Sequence, residues 1–224
     1  MVNKTKSAFT LAEVLITLVI IGIVAALTIS EVINTYVERS TVAKVKKGLS
    51  TLAQAKKLAE VQYGNIMLWN FDGGRTTQSV LQLWSYLKPH ISIAKDCASN
   101  DDCYQIENVK YLKGDVFMTG SGLQNYSHAF VLADGSVMWI TALDGKCEAA
   151  SPSVAAAVYT DVCASFGYDI NGNKPPNTIG KDRFSYVMRP DGVYPLEHSD
   201  CHKNRDGWGC AAYIIKNGNM NYLH

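Results

Sequence analysis

Residues 9–30 read FTLAEVLITLVIIGIVAALTIS and contain a single charged residue, Glu13. A helix of about 21 residues spans about 31 Å, which is the thickness of a bilayer core. A buried core helix rarely stays apolar on every face over this length. A cleaved secretory signal has a shorter apolar run, whereas this one continues into a further helical pattern. The stretch therefore predicts a retained transmembrane helix.

Residues 31–63 continue the helix as an amphipathic segment. Apolar residues recur there at spacings of three and four, with lysines, glutamates and an arginine between them. No proline occurs in residues 9–63, and Gly64 stands at the expected helix end. A continuous helix of about 55 residues would be about 80 Å long. We expect residues 9–30 to lie in lipid and residues 31–63 to lay an apolar stripe on a globular head.

Residues 64–224 form the predicted head and suffice for a core of their own. A short helix is predicted over residues 76–87, with a threonine cap before it and Pro89 after it. Strand patterns begin near residue 109. Hairpins are predicted where Asp-Gly or Asn-Gly separates apolar runs, in residues 128–142, 184–196 and 210–223. Residues 148–166 are compatible with a second short helix or a loop. The predicted fold class is α+β, a long N-terminal α-helix packed on a small antiparallel β-sheet head.

All the cysteines lie in the head, at Cys97, Cys103, Cys147, Cys163, Cys201 and Cys210. An even number of cysteines outside the membrane segment predicts disulfides in an oxidising space beyond the cytoplasm. The sequence does not determine which cysteines pair. We expect sequential pairs, each closing a short loop and stabilising the head by about 2–3 kcal/mol.

The basic residues give a conflicting signal about orientation. Lys4 and Lys6 precede the apolar segment, and more basic residues follow it within about 20 residues, at Arg39, Lys44, Lys46 and Lys47. Counting them alone would place the head in the cytoplasm. We give the cysteines more weight, because the later basic residues are interleaved with acidic ones, Glu31, Glu38 and Glu60, on an amphipathic helix. The formal net charge of the chain is +1, which predicts no nucleic-acid partner.

The start of the chain carries the most specific motif. Residues 4–13 read KTKSAFTLAE: a short basic leader ends in a small residue, a phenylalanine opens the apolar run, and a glutamate is its fifth residue. This pattern, together with GIVAAL at residues 22–27, resembles the type IV prepilin signal of pilins and type II secretion pseudopilins. Such leaders most often end in glycine, whereas Ala8 stands at that position here.

The resemblance implies a processing and assembly route. A prepilin peptidase would remove leader residues 1–8 by cutting between Ala8 and Phe9, and would methylate the new amine of Phe9. Glu13 would pair with the Phe9 amine of a neighbouring subunit, because a carboxylate in lipid is costly and usually marks a partner. The subunit would sit in the cytoplasmic membrane as a single-pass protein with its head outside, in contact with membrane lipid. An inner-membrane assembly platform and its ATPase would then draw it into a fibre with other subunits.

Three functions remain open at this point. A type II secretion pseudopilus is the leading interpretation, and a type IV pilus for adhesion, motility or DNA uptake is its alternative. A membrane-tethered binding domain or enzyme that never polymerises is the third. The sequence has no nucleophile elbow, zinc-protease pair or phosphate loop, so no enzymatic activity is expected.

Two loops carry candidate metal ligands. Asp169, Asn171, Asn177 and Asp182 offer oxygen ligands of the kind that Ca²⁺ prefers, and some major pseudopilins carry calcium in a C-terminal loop. The alternative is a turn-rich loop that caps itself by local hydrogen bonds. His198, Cys201, His202 and Cys210 are of the types that bind zinc, but a Cys201–Cys210 disulfide is the favoured interpretation.

Overall fold

The computed structural model describes residues 9–72, 74–97, 103–120, 123, 126–149, 159–198 and 201–224. Two compact units divide the chain, Met1–Ser40 and Thr41–His224. Helix α1 (Leu11–Tyr63) begins in the first unit and ends in the second. The second unit begins at Thr41 and not at residue 64, because the C-terminal part of α1 contributes side chains to its core.

In the first unit, α1 is apolar and exposed. Its large apolar side chains from Leu11 to Val37 are 43–80% exposed. The hydroxyl of Thr17 donates to the carbonyl of Val14, and that of Thr28 donates to the carbonyl of Val24. These bonds satisfy the threonine hydroxyls within the helix, which suits a segment surrounded by lipid. Among the described residues, α1 is the helix whose length and composition are sufficient to cross a membrane.

In the second unit, α1 packs on a sheet through one apolar stripe. Val45, Leu52, Ala55 and Ala59 are fully buried there, at the three-, four- and seven-residue spacings of one helix face. The helix ends at Tyr63, where Gly64 adopts the left-handed conformation with φ of +81°. This is the predicted helix end, and the apolar stripe on the head is confirmed.

The main sheet of the second unit is antiparallel and six-stranded, in the order β1-β4-β5-β6-β7-β8. Its strands are β1 (Ile93–Asp96), β4 (Ser127–Leu132), β5 (Val137–Ala142), β6 (Ala164–Asp169), β7 (Arg183–Arg189) and β8 (Gly192–Pro195). A separate two-stranded sheet pairs β2 (Asn108–Lys110) with β3 (Val116–Thr119). The predicted α+β class and the hairpins at 128–142 and 184–196 are confirmed.

Two short helices complete the head. Helix α2 (Thr77–Leu87) is the predicted one, and the Thr76 side chain accepts a hydrogen bond from the backbone N–H of Ser79 as its cap. Helix α3 (Cys210–Asn217) replaces the hairpin predicted over residues 210–223, so that prediction is wrong. Gly218 closes α3 in the left-handed conformation with φ of +68°, where a hairpin turn was expected, and the helix buries Ala211 and Ile214. The end of the stretch interpreted as helix or loop, residues 164–166, belongs to strand β6.

The two faces of the main sheet differ in character. Alternating residues on the inner face pack with α1 in the main core, namely Phe130, Met138, Ile140, Phe166, Tyr168, Phe184, Tyr186 and Met188. Gly48 lets α1 approach closely, since a Cβ there would lie 2.8 Å from the Tyr168 ring. The hydroxyl of Tyr186 donates to the carbonyl of Val45 over 2.8 Å. The outer face presents small polar side chains, Trp139 and Arg183.

Three disulfides link cysteines that are neighbours in sequence, Cys97 with Cys103, Cys147 with Cys163 and Cys201 with Cys210. No cysteine is left free among the described residues. The pairing is sequential, and each bridge closes a loop within the second unit. Because Cys201 and Cys210 are joined, neither offers a thiolate to a metal.

Candidate functional site

The start of α1 is built by a reciprocal pair of hydrogen bonds. Thr10 directly precedes the helix, and its backbone N–H and hydroxyl both donate to Oε2 of Glu13, over 2.8 and 2.9 Å. The backbone N–H of Glu13 donates in turn to the Thr10 hydroxyl over 3.3 Å. This is a capping box, in which a threonine and a glutamate three residues later satisfy N–H groups that the first helical turn leaves unpaired.

The capping box engages only one oxygen of Glu13. Within the residues that the structure describes, Oε1 of Glu13 accepts no hydrogen bond. The carboxylate lies in the first turn of α1, where the partial positive charge of the helix N-terminus favours an anion. Phe9 is 86% exposed. The site therefore presents one free carboxylate oxygen four residues after the residue that would become the amino terminus.

The surface that follows this site suits helix–helix packing in an apolar medium. From Leu11 to Ile29 the large apolar side chains point in all directions around the helix. Gly22 has no atom within 4 Å of the position a Cβ would occupy, and Ala26 lies one turn further along. Small residues at this spacing permit close approach of a second helix.

Of the residues predicted to act in processing and assembly, some lie within the described part of the chain and some lie outside it. Ala8 and the rest of the leader lie outside the described residues. Glu13 is part of the capping box at the start of α1, and Phe9 directly precedes it. The role of Thr10 was missed, although the sequence carries the Thr-x-x-Glu signature of a capping box immediately before an apolar run.

The candidate calcium loop brings its residues together between β6 and β7. Asp182 accepts backbone N–H groups of Thr178 and Asn177, over 2.6 and 2.8 Å, and the side-chain amide of Asn171 over 3.2 Å. Asp169 accepts the hydroxyl of Tyr104 and the backbone N–H of Asn171. The carboxylates of Asp169 and Asp182 therefore already accept hydrogen bonds, from the loop and from Tyr104.

The two carboxyl groups of this loop have raised pKa values. Burial, together with the charge of Asp182, raises the pKa of Asp169 to about 7. Burial also raises the pKa of Asp182, against the N–H groups that lower it. The side-chain oxygens of Asn171 and Asn177 are buried without a hydrogen-bond partner.

These facts bear on calcium in opposite directions. Two carboxylates and two unpartnered amide oxygens are ligands of the right type for Ca²⁺. However, an ion would have to displace N–H donors from Asp182, and the described residues contain no group of three His, Cys, Asp or Glu placed to hold a metal. The geometry is that of the self-capped loop, and calcium binding stays a prediction.

Comparison with known proteins bears on the N-terminal segment. Residues 3–29 match the family model of the prokaryotic N-terminal methylation motif, the signature of type IV pilins and pseudopilins. No curated protein and no solved structure matches the chain. The long N-terminal helix with an antiparallel sheet is consistent with a pilin-like fold. The motif supports a pilin-like or pseudopilin subunit, and it fits processing by a prepilin peptidase and anchoring in a membrane.

Proposed function

We propose that this chain, which carries the N-terminal methylation motif at residues 3–29, is a structural subunit of a type II secretion pseudopilus. The observation that carries the proposal is the start of α1: Glu13 is the one charged residue in an exposed apolar segment, and one of its oxygens accepts no hydrogen bond from any described residue. The chain is proposed to act as a polymer building block and not as an enzyme.

Processing creates the second half of the assembly contact. Cleavage between Ala8 and Phe9 releases the leader and leaves a methylated, positively charged amine on Phe9. In lipid, this amine and the Glu13 carboxylate are both costly without a partner. A new subunit lowers that cost when its Phe9 amine reaches Oε1 of Glu13 on its neighbour. Oε2 meanwhile remains in the capping box that holds the helix start in shape.

The head is proposed to lie outside the cytoplasm. Its three disulfides need an oxidising space. Two of the basic residues that argued for the opposite orientation bond the head itself: Lys44 donates to the carbonyl of Ile170, and Lys47 pairs with Asp134 at 2.9 Å. Lysines held by the folded head are weaker topology signals than free ones. The assembly platform with its ATPase would act on the other side of the membrane.

Processing is tested by mass spectrometry of the N-terminal peptide from native membranes. A chain that begins at N-methylated Phe9 is the expected result. A chain that still begins at Met1, in cells with an active prepilin peptidase, would favour the membrane-tethered domain that does not polymerise.

The role of Glu13 is tested by comparing variants for incorporation into fibres. Glu13→Gln removes the charge but keeps an amide that can accept the Thr10 hydrogen bonds, so we expect loss of incorporation from a folded subunit. Glu31→Gln is the matched control, because Glu31 is an exposed glutamate of the same helix. Thr10→Val removes the hydroxyl of the capping box but keeps the Glu13 carboxylate. Normal incorporation of Glu13→Gln would refute the pairing role.

The type of fibre is tested by deleting the gene. Loss of exoprotein secretion with surface pili intact is expected for a pseudopilus subunit. Loss of surface pili with secretion intact would assign the chain to a type IV pilus instead, which the shared motif also allows.

A further inference from the structure

The outer face of the main sheet contains a cavity of about 170 Å³. Its floor includes the small side chains Ser165 and Ser185, and its walls include Phe117, Trp139 and Trp208. All of its lining residues lie in the unit Thr41–His224. The cavity is therefore a property of the head alone, and its role does not depend on the assembly function of α1.

A glycine creates the space. Gly167 on β6 pairs with Trp139 on β5 and with Ser185 on β7. A Cβ at Gly167 would lie 1.8 Å from the Trp139 indole, so the ring lies flat across this strand. Small hydroxyl side chains on the neighbouring positions leave room beside the ring. The cavity thus has an aromatic wall over a floor with hydroxyl groups.

A buried cation faces this space. Arg183 lines the cavity, is only 6% exposed, and has two buried nitrogens, Nε and Nη1, without a hydrogen-bond partner. Its guanidinium lies 4.7 Å from the centre of the Trp139 ring and 5.4 Å from that of Tyr104. Aromatic rings attract a cation but accept none of its N–H bonds in the plane of the guanidinium. A buried charged group without hydrogen bonds is costly and calls for an explanation.

The neighbouring carboxylate, that of Asp169, accepts no hydrogen bond from the Arg183 guanidinium. Oδ2 of Asp169 lies 4.0 Å from Nε of Arg183, beyond hydrogen-bond distance. Asp169 already accepts the hydroxyl of Tyr104 and the backbone N–H of Asn171. Asp169 is thus an ion-pair neighbour of Arg183, while Nε and Nη1 of the arginine keep hydrogen bonds to offer.

The remaining lining residues favour an anion as well. A second arginine, the exposed Arg75, also lines the cavity, and the N–H of the neighbouring Gly74 donates to the carbonyl of Leu143. None of the lining residues among those the structure describes is an aspartate or glutamate. A ligand would therefore meet two positive charges, hydroxyl groups and aromatic rings.

We propose that this cavity binds a small carboxylate with a flat apolar body, of about the size of benzoate. The carboxylate would take the planar N–H donors of Arg183, and the flat body would pack beside Trp139, in the room that the small hydroxyl side chains leave. The size follows from the volume, since an engineered cavity of about 150 Å³ holds benzene. Two sources share this chemistry: a free aromatic acid, and the terminal carboxylate of a polypeptide that ends in an aromatic residue.

The proposal is tested on the full chain in detergent micelles, with para-fluorobenzoate and para-fluorobenzamide as probes followed by fluorine NMR. We expect saturable binding of the acid, about tenfold or more tighter than that of the neutral amide, because charge-assisted bidentate bonds are lost with the amide. Equal binding of the two probes, or no binding of the acid, would overturn the proposal. This comparison uses the unmodified protein and does not depend on the folding of any variant.

A pair of variants locates the binding group. Arg183→Lys keeps the positive charge but loses the planar fork, and we expect about tenfold weaker binding of the acid. Arg189→Lys on the same strand is the control, because Arg189 pairs with Asp161 at 2.8 Å and does not line the cavity. Circular dichroism shows whether each variant is folded. A folded Arg183→Lys variant with unchanged affinity would refute the assignment to Arg183.

A peptide probe distinguishes the two sources. A short peptide that ends in phenylalanine is compared with the same peptide carrying a C-terminal amide. Tighter binding of the free-acid peptide than of para-fluorobenzoate would identify a polypeptide terminus as the ligand, and the reverse order would identify a free acid. Equal binding of the acid and amide peptides would contradict recognition of a carboxylate.

Discussion

Asp169 makes the stability of the head depend on pH. It is fully buried, and burial with the charge of Asp182 raises its pKa to about 7 from the ordinary 3.8. The folded state therefore holds a proton that the unfolded state releases near pH 4. Stability from this group is fully present below about pH 4 and is lost as the pH rises through about 7.

The size of the effect follows from that pKa difference. A gap of about 3 in pKa, at about 1.4 kcal/mol for each, gives a loss of about 4 kcal/mol in the free energy of unfolding between about pH 4 and pH 8. Asp169→Asn removes the titration; its single side-chain oxygen can accept the backbone N–H of Asn171, and its amide N–H can donate to the hydroxyl oxygen of Tyr104. We expect the variant to lose this pH dependence and to be the more stable protein at pH 8.

The measurement is urea unfolding of the full chain, followed by tryptophan fluorescence in calcium-free buffer at a series of pH values. The informative quantity is the difference between wild type and Asp169→Asn, since other titrating groups cancel in it. Asp115→Asn is the control, because the Asp115 side chain is 66% exposed. Parallel stability curves for wild type and Asp169→Asn would refute the reasoning.

Three further predictions concern packing and the loop. Tyr186→Phe removes the buried hydrogen bond to the carbonyl of Val45, and we expect urea unfolding to show a loss of about 1–2 kcal/mol. Gly48→Ala places a Cβ 2.8 Å from the buried Tyr168 ring and should destabilise the head by about 1–3 kcal/mol, whereas Gly22→Ala, which meets open space, should leave head unfolding unchanged. If the loop holds calcium, millimolar Ca²⁺ should raise the melting temperature of wild type but not of Asp182→Asn; an unchanged wild-type melting temperature would favour the self-capped loop.

Features with local signals were predictable from the sequence. Helix α1, its end at Gly64 and the hairpin around Asp134-Gly135 each depend on neighbouring residues alone. The misassigned segment shows the limit of such signals. Asn217-Gly218 suits both a hairpin turn and a helix end, and the buried Ala211 and Ile214 decide for the helix by packing at a spacing of three.

The cavity and the buried charges could not be predicted in this way. Tyr104, Asp169 and Arg183 are far apart in sequence and meet because β6 pairs with β7 and the segment after Cys103 crosses their outer side. The space beside Trp139 exists because Gly167 happens to be its partner across strands. Strand order and register set both arrangements, and sequence periodicity specifies neither.

The main sheet ends on two strands that resist further pairing. At one border, β1 is short, carries Lys95 and shifts register between Ile93 and Lys95. At the other, β8 has four residues and ends at Pro195, which has no N–H to donate. Bulges, lysines and prolines at such borders discourage edge-to-edge fusion of sheets. In the fibre proposed above, many heads would therefore lie side by side without merging into a continuous amyloid-like sheet, and the helices would hold the polymer together.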